Sequence, residues 1–184
     1  LADSLAGLVD EMQGEGVDPD AFRALDVSDL SGHWQRSLTF LDVVERFFGE
    51  DSGEPPDVEA RQRRVIERLV AMWENEAPDA PVLMVGSTGS RGATQLLMRA
   101  VARLPQGAVI LPGYDMEQPC DVWDELFADD RMPAEDHPQF RFARLMKALG
   151  TAPENVAPWT DTTPVNPRRN ALVSLALRPA PVTD

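Results

Sequence analysis

The residues most suited to chemistry lie in a glycine-rich stretch, VGSTGSRG, which follows the apolar run VLMV and precedes a helical pattern. A strand, a turn of small residues and a helix N-terminus together present backbone N–H groups and the positive end of a helix dipole. Proteins commonly hold phosphate with such an arrangement. The candidates for a phosphate or ligand loop are Gly86, Ser87, Thr88, Gly89, Ser90 and Arg91.

The spacing of this loop does not match the known phosphate-binding motifs. A Walker A loop needs a second glycine five residues after its first, followed by a lysine and then Ser or Thr, whereas Arg91 stands five after Gly86 and Thr94 five after Gly89. The dinucleotide fingerprint fails as well, because the glycines fall at 86, 89 and 92. The favoured interpretation is structural: glycines form a tight turn, and Ser87, Thr88 or Ser90 caps the helix. Arg91 is the residue that would add affinity for an anion.

A second candidate is an arginine-rich helix, EARQRRVIER. Three arginines share one helical face and are possible contacts to a DNA backbone: Arg61, Arg64 and Arg68. Against this, Glu59 precedes Arg63 by four residues and Glu67 follows it by four, as in an ordinary solvated face with ion pairs. The structural interpretation is again favoured.

Other polar residues do not form a convincing site. His33 adjoins a tryptophan, and His137 precedes a proline where a helix is expected to begin, so structural roles are favoured for both. Acids follow the second apolar run, where α/β folds often place functional groups, but acids are common throughout. They are Asp115, Glu117, Asp121, Asp124 and Glu125. We therefore predict no catalytic residue, metal site or cofactor within this chain.

Charge and cysteine content narrow the function classes. Thirty-one acids against 17 bases give a net charge of -14, which repels nucleic acid at long range and predicts weak DNA binding at most. Cys120 is the single cysteine, so disulfides and cysteine-held clusters are excluded within the chain. No apolar run approaches the ~18 residues of a membrane span. We expect a cytoplasmic location and no membrane partner.

Periodicity indicates an α/β fold that is predominantly helical. The predicted helices lie before Gly14, at about 18–25, 28–48, 58–73, 96–104 and 122–127, from His137-Pro138 to Gly150, and at about 168–177. Apolar runs at 82–85 and 108–111 read as parallel strands, buried on both faces, of a βαβ unit. Two strands do not make a stable sheet, so neighbouring strands are expected outside the chain. We predict a helical insertion-like region at 1–80 and a βαβ region with C-terminal helices at 81–184. Because the chain begins at Leu1 without a methionine and ends abruptly, we expect a piece of a larger protein.

The order of several motifs resembles the helicase-like portion of AddB, a family of double-strand break repair proteins of the alphaproteobacterial type. The sequence contains GHWQRSLTFLDVV, then VGSTGSRGATQLLMRAVARLPQGAVILPGYD, DHPQFRFARLMKALG and ALRPAPVTD. The family's corresponding stretches are HWQ-x-x-L-x-F-L, GSTGS-x-x-A-T, ARLPQGAV-x-LPG-x-D, DHPQ and ALRPA. The resemblance covers essentially the whole chain.

This resemblance implies a parent protein that pairs with an AddA-type subunit in an ATP-dependent helicase and nuclease acting on broken DNA ends. The chain would be a helical insertion followed by the βαβ part of a degenerate P-loop, superfamily 1 core, with the nuclease domain and any iron–sulfur cysteines outside it. In working motors the strand aligned with 82–85 ends in Asp-Glu; here Gly86 and Ser87 follow, so this segment is not expected to hydrolyse ATP. Its expected role is as a scaffold or a contact to AddA, the rest of AddB or DNA. Two alternatives stay open: a small α/β nucleotide- or phosphate-binding domain using Gly86–Arg91, and a plain protein-interaction module.

Overall fold

A computed structural model of the chain describes residues 2–17, 21, 58–128, 136–179 and 182. The elements in chain order are α1 (Ala2–Glu15), α2 (Val58–Asn75), β1 (Val82–Val85), α3 (Gly92–Val101), β2 (Gly107–Ile110), α4 (Cys120–Phe127), α5 (Phe140–Leu149) and α6 (Pro167–Ala176). This part of the chain is mixed α/β and mostly helical, as the sequence predicts. The predicted helices at 18–25 and 28–48, and with them His33, lie outside the described residues.

The chain divides into two compact units. The first contains the residues up to Ala71 together with Arg91–Ala93, and its described helices are α1 and the larger part of α2. The Arg63 side chain of α2 donates a hydrogen bond to the carbonyl of Gly14 (3.1 Å), one of the backbone groups that the end of α1 leaves without a helical partner. Gly16 follows in the left-handed region (φ +66°), against the Arg63 guanidinium. The two helices are thus joined at the glycines that end α1.

The second unit contains Met72–Ser90 and the residues from Thr94 onward, and it is built on a two-stranded parallel sheet. Strands β1 and β2 pair in register from Val82 opposite Gly107 to Val85 opposite Ile110, with α3 between them in sequence. This confirms the predicted strand–helix–strand arrangement. Gly107 is required by packing, because a Cβ there would collide with the carbonyl oxygen of Val101 at the end of α3.

One expectation about the strands is wrong. Both were predicted to be buried on both faces, yet on β1 the side chains of Leu83 and Val85 are 56% and 67% exposed. The reason is that, within the described residues, the sheet has two strands, and nothing in them covers the face that presents Leu83 and Val85. The burial expected of a parallel strand requires layers on both faces, which this part of the molecule does not supply.

The principal core of the second unit lies between α4 and α5. Its buried residues are Trp123, Leu126, Phe140, Phe142, Ala143 and Met146. Helix α5 begins at Phe140, three residues later than His137, because residues 136–139 form a turn. It ends as predicted at Gly150, whose left-handed conformation (φ +67°) lets its N–H meet the carbonyls of the last turn. No helix in the described ranges is long and apolar enough to cross a bilayer.

Candidate functional site

The loop after β1, residues 86–91, is held by contacts within itself and with α3. The N–H of Gly89 donates to Ser87 Oγ (3.2 Å), which closes a local turn. Gly89 is buried in the left-handed region (φ +65°), and a Cβ there would lie 3.0 Å from the sulfur of Met98. The glycine is therefore explained by turn geometry and packing on α3, whereas Gly86 (φ +79°) has open space around it.

The groups at the start of α3 that a phosphate would use are already paired within the first unit. The N–H of Gly92 donates to Glu15 Oε1 (2.8 Å), and Arg91 Nη1 pairs with Glu59 Oε1 (2.9 Å). Ser87, Thr88 or Ser90 was expected to cap this helix, but the N–H of Gly92 is capped by the Glu15 carboxylate of α1 instead. Thr88 and Ser90 are exposed. Carboxylates of the same chain occupy the positions in which an anionic ligand would be held.

The arginine face of α2 has a mixed environment. Arg61 and Arg68 are exposed and Arg64 is half-buried. On the neighbouring part of the helix, Arg63 Nε pairs with Glu67 Oε1 (2.8 Å), as the spacing predicts, whereas Glu59 pairs with Arg91 instead of Arg63. The helix thus combines arginines able to reach a phosphate backbone with the ion pairs of an ordinary solvated face.

The loop after β2 is held by the side chain of Gln139, which lies 24–26 residues further along. Gln139 is 7% exposed; its Nε2 donates to the carbonyl of Gly113 (2.9 Å), and its Oε1 accepts from the N–H of Asp115 (3.1 Å). One buried amide thereby satisfies a backbone acceptor and a backbone donor of the same loop. The LPGYD and DHPQ motifs, which the sequence presents as separate stretches, meet at this point.

Tyr114 fixes the same loop from its other side. Its ring stacks on Trp123 (centroids 5.3 Å apart, planes at 20°), and its hydroxyl donates to the carbonyl of Pro153 (3.1 Å). Burial raises the pKa of the Tyr114 phenol to about 12, and the carboxylates of Glu154 and Asp115 add to the shift by opposing a second negative charge. The phenol is therefore a neutral hydrogen-bond donor at physiological pH, and its role is structural.

A cleft of about 600 Å³ lies beside this loop, between residues 113–118 and α6. It lies beyond the carboxyl end of β2, the position at which open α/β sheets commonly bind ligands. From the loop side Asp115 and Gln118 line it, and from α6 Arg169, Asn170 and Val173 do so. Its size is within the range of small-molecule sites.

His137 also lines the cleft, and its proton arrangement follows from one contact. The N–H of Gln139 donates to His137 Nδ1 (3.1 Å), so the neutral imidazole carries its hydrogen on Nε2. Burial lowers the pKa of His137 below its ordinary 6.5, although the negative charge of Asp115 acts in the opposite direction. The imidazole is therefore neutral at pH 7.

The sequence placed the candidate ligand loop after β1, whereas the cleft in the described residues lies beyond β2. It singled out residues 86–91, and it named His137 and Asp115 without bringing them together. Sequence patterns did not mark Gln139, Arg169 or Asn170 as candidate site residues. The signal available in the sequence was the polar residues in each of the separate LPGYD and DHPQ motifs, which does not show that they meet. No group of His, Cys, Asp and Glu within the described stretches is arranged to hold a metal ion.

Comparison with known proteins gives no relative: no family model matches the chain, and no curated protein or solved structure matches it either. The AddB resemblance therefore depends on the motifs in the sequence. The structure adds two local features. The Gly92 N–H and Arg91 at the end of the loop after β1 are paired with carboxylates of the same chain, and Gln118 beside the cleft has an Nε2 atom with no hydrogen-bond partner among the described residues.

Proposed function

We propose that this chain is an internal segment of an AddB-type subunit, acting as a scaffold and partner-contacting piece of a complex that processes double-strand DNA breaks. The ordered motifs along the whole chain, from GHWQ to ALRPA, support this proposal. Within it, the sheet and its connecting helix belong to a degenerate helicase-like core of the P-loop, superfamily 1 type. The catalytic work of the parent complex is done by other parts, in a cytoplasmic assembly that includes an AddA-type partner.

The observation that carries the proposal is the open edge of β1. Val82 donates its N–H to the carbonyl of Gln106, just before β2 (3.0 Å), and Gly86 donates to that of Ile110 (3.1 Å). Because backbone groups alternate in direction along a strand, those of Leu83 and Val85 point away from β2. No strand in the described part of the chain pairs with that edge. An apolar, uncharged edge strand is a template for pairing with another strand, so this sheet suits a larger assembly.

The end of β1 supports a role without ATP hydrolysis. Gly86 and Ser87 follow the strand, with no carboxylate there to hold magnesium. The N–H of Gly92 and the Arg91 side chain are paired with Glu15 and Glu59. These pairings disfavour the alternative of a nucleotide-binding domain that uses residues 86–91.

Amide hydrogen exchange of β1 tests the scaffold proposal. We compare residues 1–184 with a longer protein that includes the flanking parts of the same reading frame. The amides of Leu83 and Val85 should exchange fast in the short form and at least tenfold more slowly in the long form, because an added strand protects them. Met84, whose amide faces β2, is the internal control. Unchanged exchange of Leu83 and Val85, or a reading frame that ends near Asp184, contradicts the proposal.

Two functional assays complement this test. The isolated chain should show no magnesium-dependent ATP turnover, and turnover that Ser87→Ala abolishes would favour the nucleotide-binding alternative. DNA binding should be weak and strongly salt-dependent, because Arg61, Arg64 and Arg68 act against a net charge of -14. Arg64→Glu should weaken it further. Sub-micromolar binding at physiological salt, or no effect of Arg64→Glu, contradicts this part of the proposal.

A further inference from the structure

The cleft between residues 113–118 and α6 has an unusual distribution of charge. The first turn of α6 contains Arg168 and Arg169 and no acid, although the chain has 31 acids and 17 bases. Cations are disfavoured at this end of a helix, where the dipole is already positive. Arg169 lines the cleft, and its guanidinium forms no ion pair with the residues that the structure describes. An anion placed beside Arg169 would balance this local excess of positive charge.

The turn that positions Arg169 is well defined. The Asn166 side chain caps α6 by accepting a hydrogen bond from the backbone N–H of Arg169 (3.0 Å), and Pro167 occupies the first helical position. Because this cap uses the backbone of Arg169, the guanidinium is left available for a ligand. Asn170, the next residue, lines the cleft and adds an amide.

Two further side chains with donor groups, Gln118 and His137, line the cleft from outside α6. The Nε2 atom of Gln118 is shut off from water and has no hydrogen-bond partner among the described residues. A buried donor without an acceptor is costly, so it indicates a group that is missing from its surroundings. The Nε2–H of neutral His137 is a second donor on this side, because Nδ1 accepts from Gln139. Because Gln118 Nε2 is shut off from water, a ligand in the cleft meets it only if that side chain turns, and the other lining side chains with donor groups are those of Arg169, Asn170 and His137.

The other lining residues limit the kind of anion. Asp115 and Glu117 also line the cleft, and one oxygen of Asp115 already accepts from the N–H of Glu117 (3.0 Å). These two carboxylates repel a polyanion such as DNA. Apolar surface comes from Met116, Val173 and Leu177. The cleft therefore suits a ligand with one charged group and an apolar body.

We propose that this cleft binds a small organic anion, with a phosphate or carboxylate group held by Arg169 and an apolar body beside Val173 and Leu177. The proposal rests on the cleft and on the Arg169 guanidinium, which forms no ion pair with the described residues, and it does not depend on the scaffold role. Guanidinium groups bind phosphate and carboxylate alike through paired hydrogen bonds, so the headgroup is left for experiment.

Three matched probes test the proposal on residues 1–184: phenyl phosphate, benzoate and the uncharged benzyl alcohol. Binding is followed by amide chemical shifts in ¹⁵N-labelled protein. Phenyl phosphate or benzoate should give saturable shifts in residues 113–118 and 169–174, at least tenfold tighter than benzyl alcohol. The tighter of the two anions identifies the headgroup. No saturable shift with either anion, or equal binding of benzyl alcohol, overturns the proposal.

Two neighbouring variants separate the site from general charge. Arg169→Gln should weaken anion binding about tenfold or more, because it removes a charge-assisted contact. Arg168→Gln removes the same charge from the same turn but does not line the cleft, and it should change binding less than about twofold by surface electrostatics alone. Retained thermal unfolding checks that both variants fold. Equal losses in the two variants, or a single-stranded oligonucleotide that binds the same residues and depends on Arg169, overturn the small-anion proposal.

Discussion

Strands β1 and β2 run parallel, so the loops that follow them leave from the same edge of the sheet, and they differ in what holds them. In the loop after β1, a serine two residues away and one glycine packed on Met98 define the turn. In the loop after β2, the buried glutamine Gln139 and the stacking of the loop's own Tyr114 on Trp123 of the core define it. The first loop is a local motif, and the second is built by contacts between distant residues.

This difference bears on where a ligand is expected. The glycine-rich loop has the motif-like sequence, but its helix N–H and its arginine are paired with carboxylates of the same chain. The loop after β2 has no phosphate motif, yet it borders a cleft at which Arg169 forms no ion pair and Gln118 Nε2 has no hydrogen bond within the described residues. A recognisable motif and an available binding surface are therefore separate properties of this molecule.

The largest expected effect comes from removing the amide that fixes the loop after β2. Gln139→Leu keeps the approximate volume of a buried side chain but removes its two part-buried hydrogen bonds to the Gly113 carbonyl and the Asp115 N–H. We expect a loss of about 2–3 kcal/mol in the free energy of unfolding, measured with urea. Gln106→Leu is the matched control, because it removes an exposed bond to the Asp79 carbonyl (3.0 Å) and should cost under about 0.5 kcal/mol. Equal losses of unfolding free energy in Gln139→Leu and Gln106→Leu would show that the buried amide contributes no more than an exposed one.

A smaller effect is expected from the Tyr114 hydroxyl. Tyr114→Phe removes the hydrogen bond to Pro153 and should cost about 1 kcal/mol in unfolding free energy. As the single tyrosine, Tyr114 can be titrated by the absorbance of its phenolate, and the folded chain should show a pKa of about 12. The unfolded chain ionises near pH 10 and the folded chain only near 12, so stability should fall as pH rises through this window.

Tyr114→Phe is also the control for that alkaline loss, since it has no phenol to ionise. The part of the loss that is due to Tyr114 should be absent from the variant. A phenolate signal with a midpoint near pH 10, while circular dichroism shows the chain still folded, would mean that Tyr114 is not held by the core as described.

A still smaller effect should accompany protonation of His137. Its pKa is lowered by folding, so the unfolded chain binds a proton first as pH falls below 6.5. The contribution of neutral His137 to the free energy of unfolding is complete above pH 6.5. It is lost as the pH falls towards the lower pKa of His137 in the folded chain, and the negative charge of Asp115 limits this loss. We expect wild type to lose stability more steeply between pH 7 and 5 than His137→Asn, whose amide oxygen can still accept from Gln139. Parallel pH profiles for the two proteins would count against a buried, neutral imidazole.

Local patterns in the sequence predicted the elements well. Strand β1 lies at 82–85 as predicted, and α2 follows the periodic positions from Val58 onward. The helix end marked by Gly150 was also found, whereas α1 continues through Gly14 to Glu15. These features depend on residues within a few positions of one another, which is the range over which propensity and periodicity act.

Features that depend on distant residues could not be predicted in this way. The cap on α3 comes from Glu15, 77 positions before Gly92, and the loop at Gly113 is held by Gln139. The exposure of Leu83 depends on how many layers surround the sheet, which its own strand does not encode. The cleft combines three separated segments, so its lining was not visible as a motif.

The smallest expected effect concerns the loop with the motif-like sequence. Ser87→Ala removes the acceptor of the Gly89 N–H, a local bond in a partly exposed turn, and should cost under about 0.5 kcal/mol. Ser90→Ala, at an exposed position in the same loop, is the control and should be neutral within error. A small loss in Ser87→Ala is expected if the packing of Gly89 against Met98 holds the loop, and a loss above about 1 kcal/mol would contradict this.

Wild type and Ser87→Ala also test whether the loop at residues 86–91 binds phosphate. A ligand that binds the folded chain stabilises it by an amount that grows with the logarithm of its concentration relative to Kd, and so raises its melting temperature. Magnesium ATP and inorganic phosphate should change the melting temperature of wild type and Ser87→Ala equally, because Glu15 and Glu59 already occupy the Gly92 N–H and Arg91. A rise in wild type that Ser87→Ala abolishes would mean that phosphate displaces these carboxylates. The glycine-rich loop would then be a binding site despite its internal pairing.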